Sequence, residues 1–238
     1  MSVRPVLRPG PLHAPLPAPL YAIVDAEVLG PAGVPGAVGE IAASGIGWLQ
    51  LRAKSFSGRE LFTVAEGCLR ALAGSGARLW IDDRADVAAL LPVAGVHVGQ
   101  HDLPPRAVRQ VVGDRFWIGL STHTRAQLEA ADADPDVDLI AVGPIFPTAG
   151  KARPDPVVGV SFLRWARRRT CKPLVAIGGI GPGNLEQVLA AGADAAAVLG
   201  AVCRGGVAAV GANCRRLLAA AAAAATHAPS GRGQDRDP

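Results

Sequence analysis

The stretch PLVAIGGIGPGNLEQVLAAGADAAAVLGAV, residues 173–202, contains two short apolar runs that flank a segment of helical character. The first run ends in a pair of glycines, and the middle segment, GPGNLEQVLAAGAD, is rich in helix-forming residues. Continuous apolar runs of strand length on both sides of a helix are typical of parallel strands that are buried on both faces. The stretch therefore predicts a strand–helix–strand unit.

The same alternation extends through most of the 238-residue chain. Six further apolar runs precede this unit: LYAIVD, WLQLR, RLWIDD, GVHVGQ, FWIGLST and LIAVGPIF. Most are separated by segments with helical periodicity, such as GRELFTVAEGCLRALAGSG. About eight such units in this length favour an α/β fold, a single (β/α)8 TIM barrel, over an open doubly wound sheet. The fourth to sixth runs follow each other closely, so we expect some connecting helices to be short.

The two ends of the chain differ from the middle. Residues 1–18 are broken by prolines throughout, and we expect a disordered Pro-rich lead-in. The barrel is predicted to span residues 19–225 as the catalytic domain. The polar tail, residues 226–238, is predicted to be disordered.

Composition argues against nucleic-acid and membrane partners. The net charge is +4, and arginines cluster at Arg164, Arg167, Arg168 and Arg169. No zinc-finger or helix-turn-helix spacing accompanies them, so a solvated helix face is predicted. The run from Ala219 to Ala225 is too short to span a membrane. The four cysteines form no C-x-x-C pair, which indicates reduced thiols in a cytoplasmic protein.

Polar residues follow the second predicted strand. Gln50, Arg52 and Lys54 alternate, so they share one face of the strand. Because active sites of such barrels lie at the carboxyl ends of the strands, these side chains would point into the barrel mouth. They suit a diphosphate or another anion, because the planar guanidinium of Arg52 can donate two hydrogen bonds to it and Lys54 adds a compact positive charge. An ordinary solvated strand remains the alternative.

Carboxylates follow the third and fourth strands. Asp82 and Asp83 end RLWIDD, and Asp102 follows GVHVGQH. Asp83 and Asp102 could share one hard cation, and oxygen ligands beside phosphate-binding groups favour Mg²⁺. The alternative is that Asp83 or Asp102 caps a following helix, and the two roles are compatible.

Two histidines lie near the predicted mouth. His97 alternates with apolar neighbours on the fourth strand and could simply pack inside the barrel. His123 lies just past the end of the fifth strand, after Ser121, where a reacting group is more plausible.

The loops after the last strands suit phosphate. VGPIFPTAGK, residues 142–151, ends a strand in a glycine-bearing loop that carries Thr148 and Lys151. Gly178 and Gly179 end the seventh strand, and Leu199 and Gly200 end the eighth. In many barrels the loops after these two strands bind phosphate through backbone N–H groups. Two anion-binding regions are therefore predicted, with Lys151 between them in strand order.

The ordered set QLRAK, DDRAD, GVHVGQHDLP, LSTHT, VGPIFPT, AIGGI and AVLGA, from Tyr21 to about Val202, resembles the thiamine phosphate synthase family. The resemblance implies condensation of a hydroxymethylpyrimidine diphosphate with a thiazole phosphate, releasing pyrophosphate, by a Mg²⁺-assisted dissociative mechanism. It implies that Asp83 and Asp102 bind the metal. It assigns diphosphate contacts and catalysis to Arg52, Lys54, Ser121 and Lys151. Substrate contacts would come from Gln50, Asp82, His97, Thr148, Gly178, Gly179, Leu199 and Gly200.

The sequence departs from this family at three places. The family usually has Asn at Asp82, a second Thr at Gly150 and often Ser at Gly200. A thiazole tautomerase on the same fold, with His123 transferring the proton, is one alternative hypothesis. A non-catalytic binder of phosphorylated ligands is another. A homo-oligomer is a further hypothesis.

Overall fold

The computed structural model describes residues 19–148 and 155–227. The predicted lead-in, residues 1–18, lies outside these described residues, as do residues 228–238 of the predicted tail. The strands are β1 Leu20–Asp25, β2 Trp48–Arg52, β3 Arg78–Asp82, β4 Gly95–Val98, β5 Trp117–Thr122, β6 Leu139–Val142, β7 Leu174–Ile177 and β8 Ala195–Val198. The α-helices are α1 Ala26–Leu29, α2 Val34–Ala43, α3 Gly58–Ala71, α4 Ala85–Ala88, α5 Pro105–Val112, α6 Arg125–Ala133, α7 Gly159–Arg167, α8 Leu185–Ala190, α9 Gly200–Cys203 and α10 Val210–His227.

The eight strands form a closed barrel in chain order, and every neighbouring pair is parallel. The barrel closes between β8 and β1, where Leu20 pairs with Ala196 and Ala22 with Val198. The predicted (β/α)8 barrel is therefore confirmed. Helices of the outer layer cover the sheet, and their apolar faces join the outward side chains of the strands in one core.

The predicted runs extended beyond the observed strands at the fourth, sixth, seventh and eighth positions. These strands end at Val98, Val142, Ile177 and Val198. Beyond the eighth strand, Gly200–Cys203 is a short helix where the sequence predicted a small-residue loop. The helices that connect the fourth, fifth and sixth strands are α5, with eight residues, and α6, with nine, so they are short as expected. Helix α10 ends at His227, two residues past the predicted boundary of the barrel.

The barrel interior is filled unevenly. Tyr21, Trp48, Trp80 and Trp117 form an aromatic cluster, in which the Trp48 and Trp80 rings lie 5.2 Å apart. The facing strands β6–β8 contribute smaller side chains, including Ala141, Ala195 and Ala197. Gly95 also leaves space for the rings, since a Cβ there would lie 2.9 Å from Trp80 Cε3. Large and small residues thus complement each other around the axis.

The last helix forms part of the outer layer. The window Val207–Thr226 is long and apolar enough to cross a membrane by length and composition, and it is longer than the apolar run from Ala219 to Ala225. Here α10 packs against α2, α8 and α9, and its buried side chains include Val210, Cys214 and Leu217. These contacts account for its apolar face. All four cysteines are free, and Cys171 is exposed while the other three are buried.

The amino-terminal end of the barrel is fastened by a buried cation. Arg109 of α5 donates to the Phe116 carbonyl at 2.7 Å and to Asp138 Oδ2 at 2.6 Å. The same carboxylate oxygen accepts from the Ile118 amide at 2.8 Å. Arg109 is 9% exposed, so its charge depends on these partners. One side chain thereby joins α5, β5 and the start of β6.

Replacing this cation should destabilise the protein without altering its active site. We expect Arg109→Met to lower the free energy of unfolding by about 3 kcal/mol, because Asp138 is left without its cation. Arg106→Met on the exposed side of the same helix should change it by no more than about 0.5 kcal/mol. Urea unfolding of both variants checks this. Equal losses in the two variants would contradict the role of Arg109.

Candidate active site

The aromatic cluster determines which side chains reach the mouth. Successive residues of a strand point to opposite faces, so residues two positions beyond an inward ring also face the axis. Gln50 follows Trp48 in this way, and Asp82 follows Trp80. Gln50 is 4% exposed. Polar side chains are therefore held at the carboxyl ends of the strands, directly above an apolar floor.

Two strands, β2 and β3, and the residues that follow them contribute a connected polar group. Gln50 Nε2 donates to Asp82 Oδ1 at 2.6 Å, and Lys54 Nζ lies 3.4 Å from Asp82 Oδ2. Lys54 also forms an ion pair with Asp83. Burial, and then the neighbouring charge of Asp83, raise the pKa of Asp82 to about 7. The structure thus brings together four of the predicted site residues.

Asp83 and Asp102 face each other beside Lys54. Burial raises the pKa of Asp83, and contact with Asp102 acts in the same direction. Asp83 has φ of 59°, a left-handed conformation that Asp tolerates better than most residues. Its amide donates to the His97 carbonyl at 2.8 Å, which fixes this turn to β4.

Neither carboxylate caps a helix. The N-cap of α4 is Arg84 and that of α5 is Pro104, and neither helix has a side-chain capping bond. Asp102 Oδ2 instead accepts from the Gly99 amide at 2.8 Å. The capping alternative is therefore wrong for both residues.

The pair fits a hard cation. Within residues 19–148 and 155–227, no three His, Cys, Asp or Glu side chains form a complete metal cage. Mg²⁺ rarely needs one, because it usually takes one or two carboxylates together with substrate phosphates and water. Two facing carboxylates beside a lysine match that pattern.

Arg52 is held by two acidic residues that were not among the predicted site residues. Its Nη1 donates to Asp25 Oδ2 at 2.6 Å and lies 3.5 Å from Glu27 Oε2. Asp25 continues the inward alternation of Tyr21 and Ile23, so the rule that found Gln50 could also have found it. Among the described side chains, this side of the mouth therefore holds two cations and five carboxylates. The cations are Arg52 and Lys54, and the carboxylates are Asp25, Glu27, Asp82, Asp83 and Asp102.

The fourth and fifth strands form a second polar pair. His97 Nε2 lies 2.9 Å from Ser121 Oγ, and His97 is 6% exposed. Gln100 Nε2 donates to the Ser121 carbonyl at 2.6 Å. His97 therefore packs inside the barrel, as predicted, while also contacting a polar side chain of the mouth.

His123 contacts the loop that follows β6. Its Nδ1 lies 2.6 Å from the Gly143 carbonyl oxygen, and its Nε2 lies 3.5 Å from Asp155 Oδ2. Its backbone amide donates to Gln127 Oε1 at 2.7 Å. Both ring nitrogens thus face protein groups at the two ends of this loop.

The end of β7 packs tightly against the β6 loop. Gly178 and Gly179 have φ of 100° and 65°. A Cβ at Gly178 would lie 2.5 Å from Pro144 Cα, and one at Gly179 would lie 2.5 Å from the Pro147 carbonyl oxygen. Both glycines are therefore required by this close approach, whatever the ligand. Thr148 is half-buried at the end of this part of the loop.

The remaining predicted residues of these loops are Lys151, Gly150, Leu199 and Gly200. Lys151 and Gly150 lie outside the described residues. Leu199 is half-buried and is the N-cap of α9, and Gly200 is exposed. A Cβ at Gly200 would meet no atom within 4 Å, so no steric constraint requires glycine where the family often has Ser.

A closed parallel barrel with acidic and basic side chains at the carboxyl ends of its strands defines a TIM-barrel enzyme. Comparison with protein families gives a match to thiamine monophosphate synthase over residues 20–202. The chain belongs to this family, whose members are transferases of thiamine biosynthesis, and the resemblance seen in the sequence is confirmed.

Individual relatives agree with this assignment. The thiamine-phosphate synthase of Koribacter versatilis is 47% identical over 184 residues, covering 76% of this chain and 86% of that protein. That of Laribacter hongkongensis is 38% identical over 187 residues, covering 77% and 87%. The solved thiamine phosphate pyrophosphorylase from Pyrococcus furiosus superposes with a TM-score of 0.75 at 26% identity, covering 86% of this chain and 96% of the other.

Asp82 should make stability depend on pH. Its raised pKa means that the folded protein holds a proton that the unfolded chain has released. The protonated Asp82 therefore contributes to the free energy of unfolding in full at pH values below the usual pKa of Asp. This contribution is lost as the pH rises through about 7. Between pH 5 and pH 8 this loss is on the order of 2 kcal/mol, at about 1.4 kcal/mol per pKa unit.

Asp82→Asn should remove that dependence. We expect urea unfolding in EDTA to show a flatter profile between pH 5 and pH 8 for the variant than for the parent. An unchanged profile would contradict the assigned pKa of Asp82.

Proposed function

We propose that this mouth joins hydroxymethylpyrimidine diphosphate to thiazole phosphate and releases thiamine phosphate and pyrophosphate. The proposal is supported by family membership and by the 47% identity to a named thiamine-phosphate synthase. The residues that would do this lie on β2 to β5 or in the segments that follow β2, β3, β4, β6, β7 and β8.

The single observation that carries the proposal is the facing pair Asp83 and Asp102 beside Lys54. On this side of the mouth the described carboxylates outnumber the described cations. A diphosphate would be repelled there unless a divalent cation accompanied it. Asp83 and Asp102 cap no helix, so they are available as ligands for that cation.

The diphosphate would be held by the cations of this side. Lys54 and Arg52 contribute from β2 and its loop, and Lys151 is added by the family resemblance. As the bond between the pyrimidine methylene carbon and the diphosphate oxygen breaks, its electron pair passes to that oxygen. Positive side chains fixed beside it stabilise the growing negative charge.

Mg²⁺, bound by Asp83 and Asp102, would supply further charge neutralisation for the departing pyrophosphate. The thiazole nitrogen then donates its lone pair to the methylene carbon, and a C–N bond replaces the broken C–O bond. No general base is needed for this exchange, because the attacking nitrogen lone pair carries no proton.

The two organic groups would lie between these regions. Gln50, Asp82 and His97 face the axis beneath the diphosphate side and would contact the pyrimidine, with Ser121 near its leaving group. The thiazole phosphate would bind at the opposite loops. Its contacts would be Thr148, Gly178, Gly179, Leu199 and Gly200.

His123 gives the tautomerase hypothesis little support. Proton transfer needs a ring nitrogen within reach of the substrate. Nδ1 contacts the Gly143 carbonyl oxygen, and Nε2 faces Asp155. These contacts favour a role in fixing the loop after β6.

The cellular setting follows from the same family. We propose that the enzyme acts in the cytoplasm, on small molecules, and that it forms a homo-oligomer. Its four free cysteines agree with a reducing compartment. Sedimentation of the purified protein measures the assembly.

Removing a metal ligand should abolish coupling. Asp83→Asn keeps the left-handed backbone at this residue but removes the charge, so we expect the yield of thiamine phosphate to fall by about 100-fold or more. Asp86→Asn is the matched control, because this carboxylate lies on α4 and pairs with Arg84 at the surface. Product and pyrophosphate are measured with pyrimidine diphosphate, thiazole phosphate and Mg²⁺, and again with chelator.

Three outcomes separate the hypotheses. Mg²⁺-dependent product in the parent and in Asp86→Asn, but not in Asp83→Asn, supports the synthase. Loss of turnover in His123→Ala, with Asp83→Asn active, would favour the tautomerase. Binding of thiazole phosphate without any turnover in the parent protein would favour the non-catalytic binder.

A further inference from the structure

Two carboxylates at the end of β1 have no part in the proposed reaction. Asp25 is the last residue of β1 and is 4% exposed, and Glu27 lies in the first turn of α1. In the strand register Asp25 is directly opposite Arg52. A buried carboxylate requires a partner. The partner of Asp25 is Arg52, which binds the diphosphate in the proposed function.

Asp25 makes two bonds with separate oxygens. Oδ1 accepts from the Glu27 amide at 2.9 Å and caps α1, while Oδ2 accepts from Arg52 Nη1 at 2.6 Å. The cap fixes the carboxylate relative to the backbone. The ion pair then fixes the guanidinium relative to the carboxylate.

The geometry leaves part of the guanidinium for a ligand. Both contacts of Arg52 within the described part of the chain use Nη1. Arginine has five N–H donors in a planar fork, so Nε and Nη2 remain to meet two oxygens of a phosphate. A flexible side chain is thereby held in one orientation before any ligand arrives.

Glu27 connects the same arrangement to Lys54. Its Oε2 lies 3.5 Å from Arg52 Nη1, and its Oε1 accepts from the Ser55 amide at 2.7 Å. Ser55 follows Lys54 in the loop after β2. The residues where β1 meets α1 thus contact the side chain of Arg52 directly, and they hold Lys54 through the backbone of the adjacent Ser55.

We propose that Asp25 and Glu27 are positioning residues, which orient Arg52 and the Lys54 loop for the departing diphosphate. This inference rests on the proposed function. Neither carboxylate touches the substrate, and an anion would be repelled by both. Their effect on the reaction passes through the orientation of the two cations.

The test is a double-mutant cycle at Asp25 and Arg52. Asp25→Asn keeps the size of the side chain and an oxygen that can cap α1, but it loses the charge that holds Arg52. We expect kcat to fall by about 10- to 100-fold, because the guanidinium is misplaced. The KM for pyrimidine diphosphate should change by less than about threefold, because the positive charge of Arg52 remains.

Arg52→Gln supplies the background in which Asp25 has nothing to orient. There the added Asp25→Asn change should alter kcat by less than about twofold. Equal kcat losses in the two backgrounds would overturn the proposal, since Asp25 would then act independently of Arg52. An unchanged kcat in Asp25→Asn would overturn it as well.

Asp194→Asn provides a matched control for stability. Asp194 pairs with Arg167 at 2.7 Å and accepts from the Leu174 amide, but it precedes β8 at the other end of the barrel. We expect it to lower the urea midpoint while leaving kcat unchanged. A kcat loss in this variant equal to that in Asp25→Asn would overturn the proposal, because any broken ion pair would then suffice.

Failure of the proposed function can be told apart from failure of this inference. If the parent protein makes no thiamine phosphate, the proposed function fails. The cycle is then measured through binding of inorganic pyrophosphate with Mg²⁺ by calorimetry. Coupling between Asp25 and Arg52 in that binding supports the positioning role, and additive changes overturn it.

Discussion

The inward packing of Tyr21, Trp48, Trp80 and Trp117 is the constraint on which the site depends. Side chains of a strand alternate with a period of two, so a shift of one residue would turn the whole set to the other face. Such a shift would expose these rings to the helix layer. With the rings fixed inside, Gln50 and Asp82 must also face the axis, one step nearer the mouth.

The electrostatics of the mouth follow from this placement. Asp82 is buried beside Asp83, and its pKa rises because water is excluded and a like charge lies near. Lys54 offsets part of this charge, and Arg52 is already shared with Asp25. We therefore propose that an anionic substrate binds here together with a cation. That proposal connects the acidic side chains to the chemistry of a diphosphate leaving group.

The sequence predicted the fold and many mouth residues because both depend on local pattern. Apolar runs of strand length revealed the eight strands, and alternation along β2 placed Gln50 and Arg52 together. Asp25 was not predicted, although the alternation of Tyr21 and Ile23 along β1 places it at the mouth as well. The contacts of His123 could not be predicted, since they join the ends of β5 and β6 to Asp155 in space.

Other features also depend on tertiary geometry. Gly178 and Gly179 were assigned to phosphate binding, but the approach of Pro144 and Pro147 already requires both. A pattern of glycines cannot distinguish a backbone that meets a ligand from one that meets another loop. The capping alternative for Asp102 could likewise be rejected only from the structure, because α5 begins at Pro105 and its N-cap is Pro104.

The most direct test of the account is a crystal structure with Mn²⁺ and pyrophosphate, with the metal located by anomalous scattering. We predict a peak between the carboxylates of Asp83 and Asp102, with pyrophosphate oxygens completing the coordination and contacting Arg52 and Lys54. A metal bound elsewhere, or pyrophosphate bound at this mouth without metal, would contradict the account.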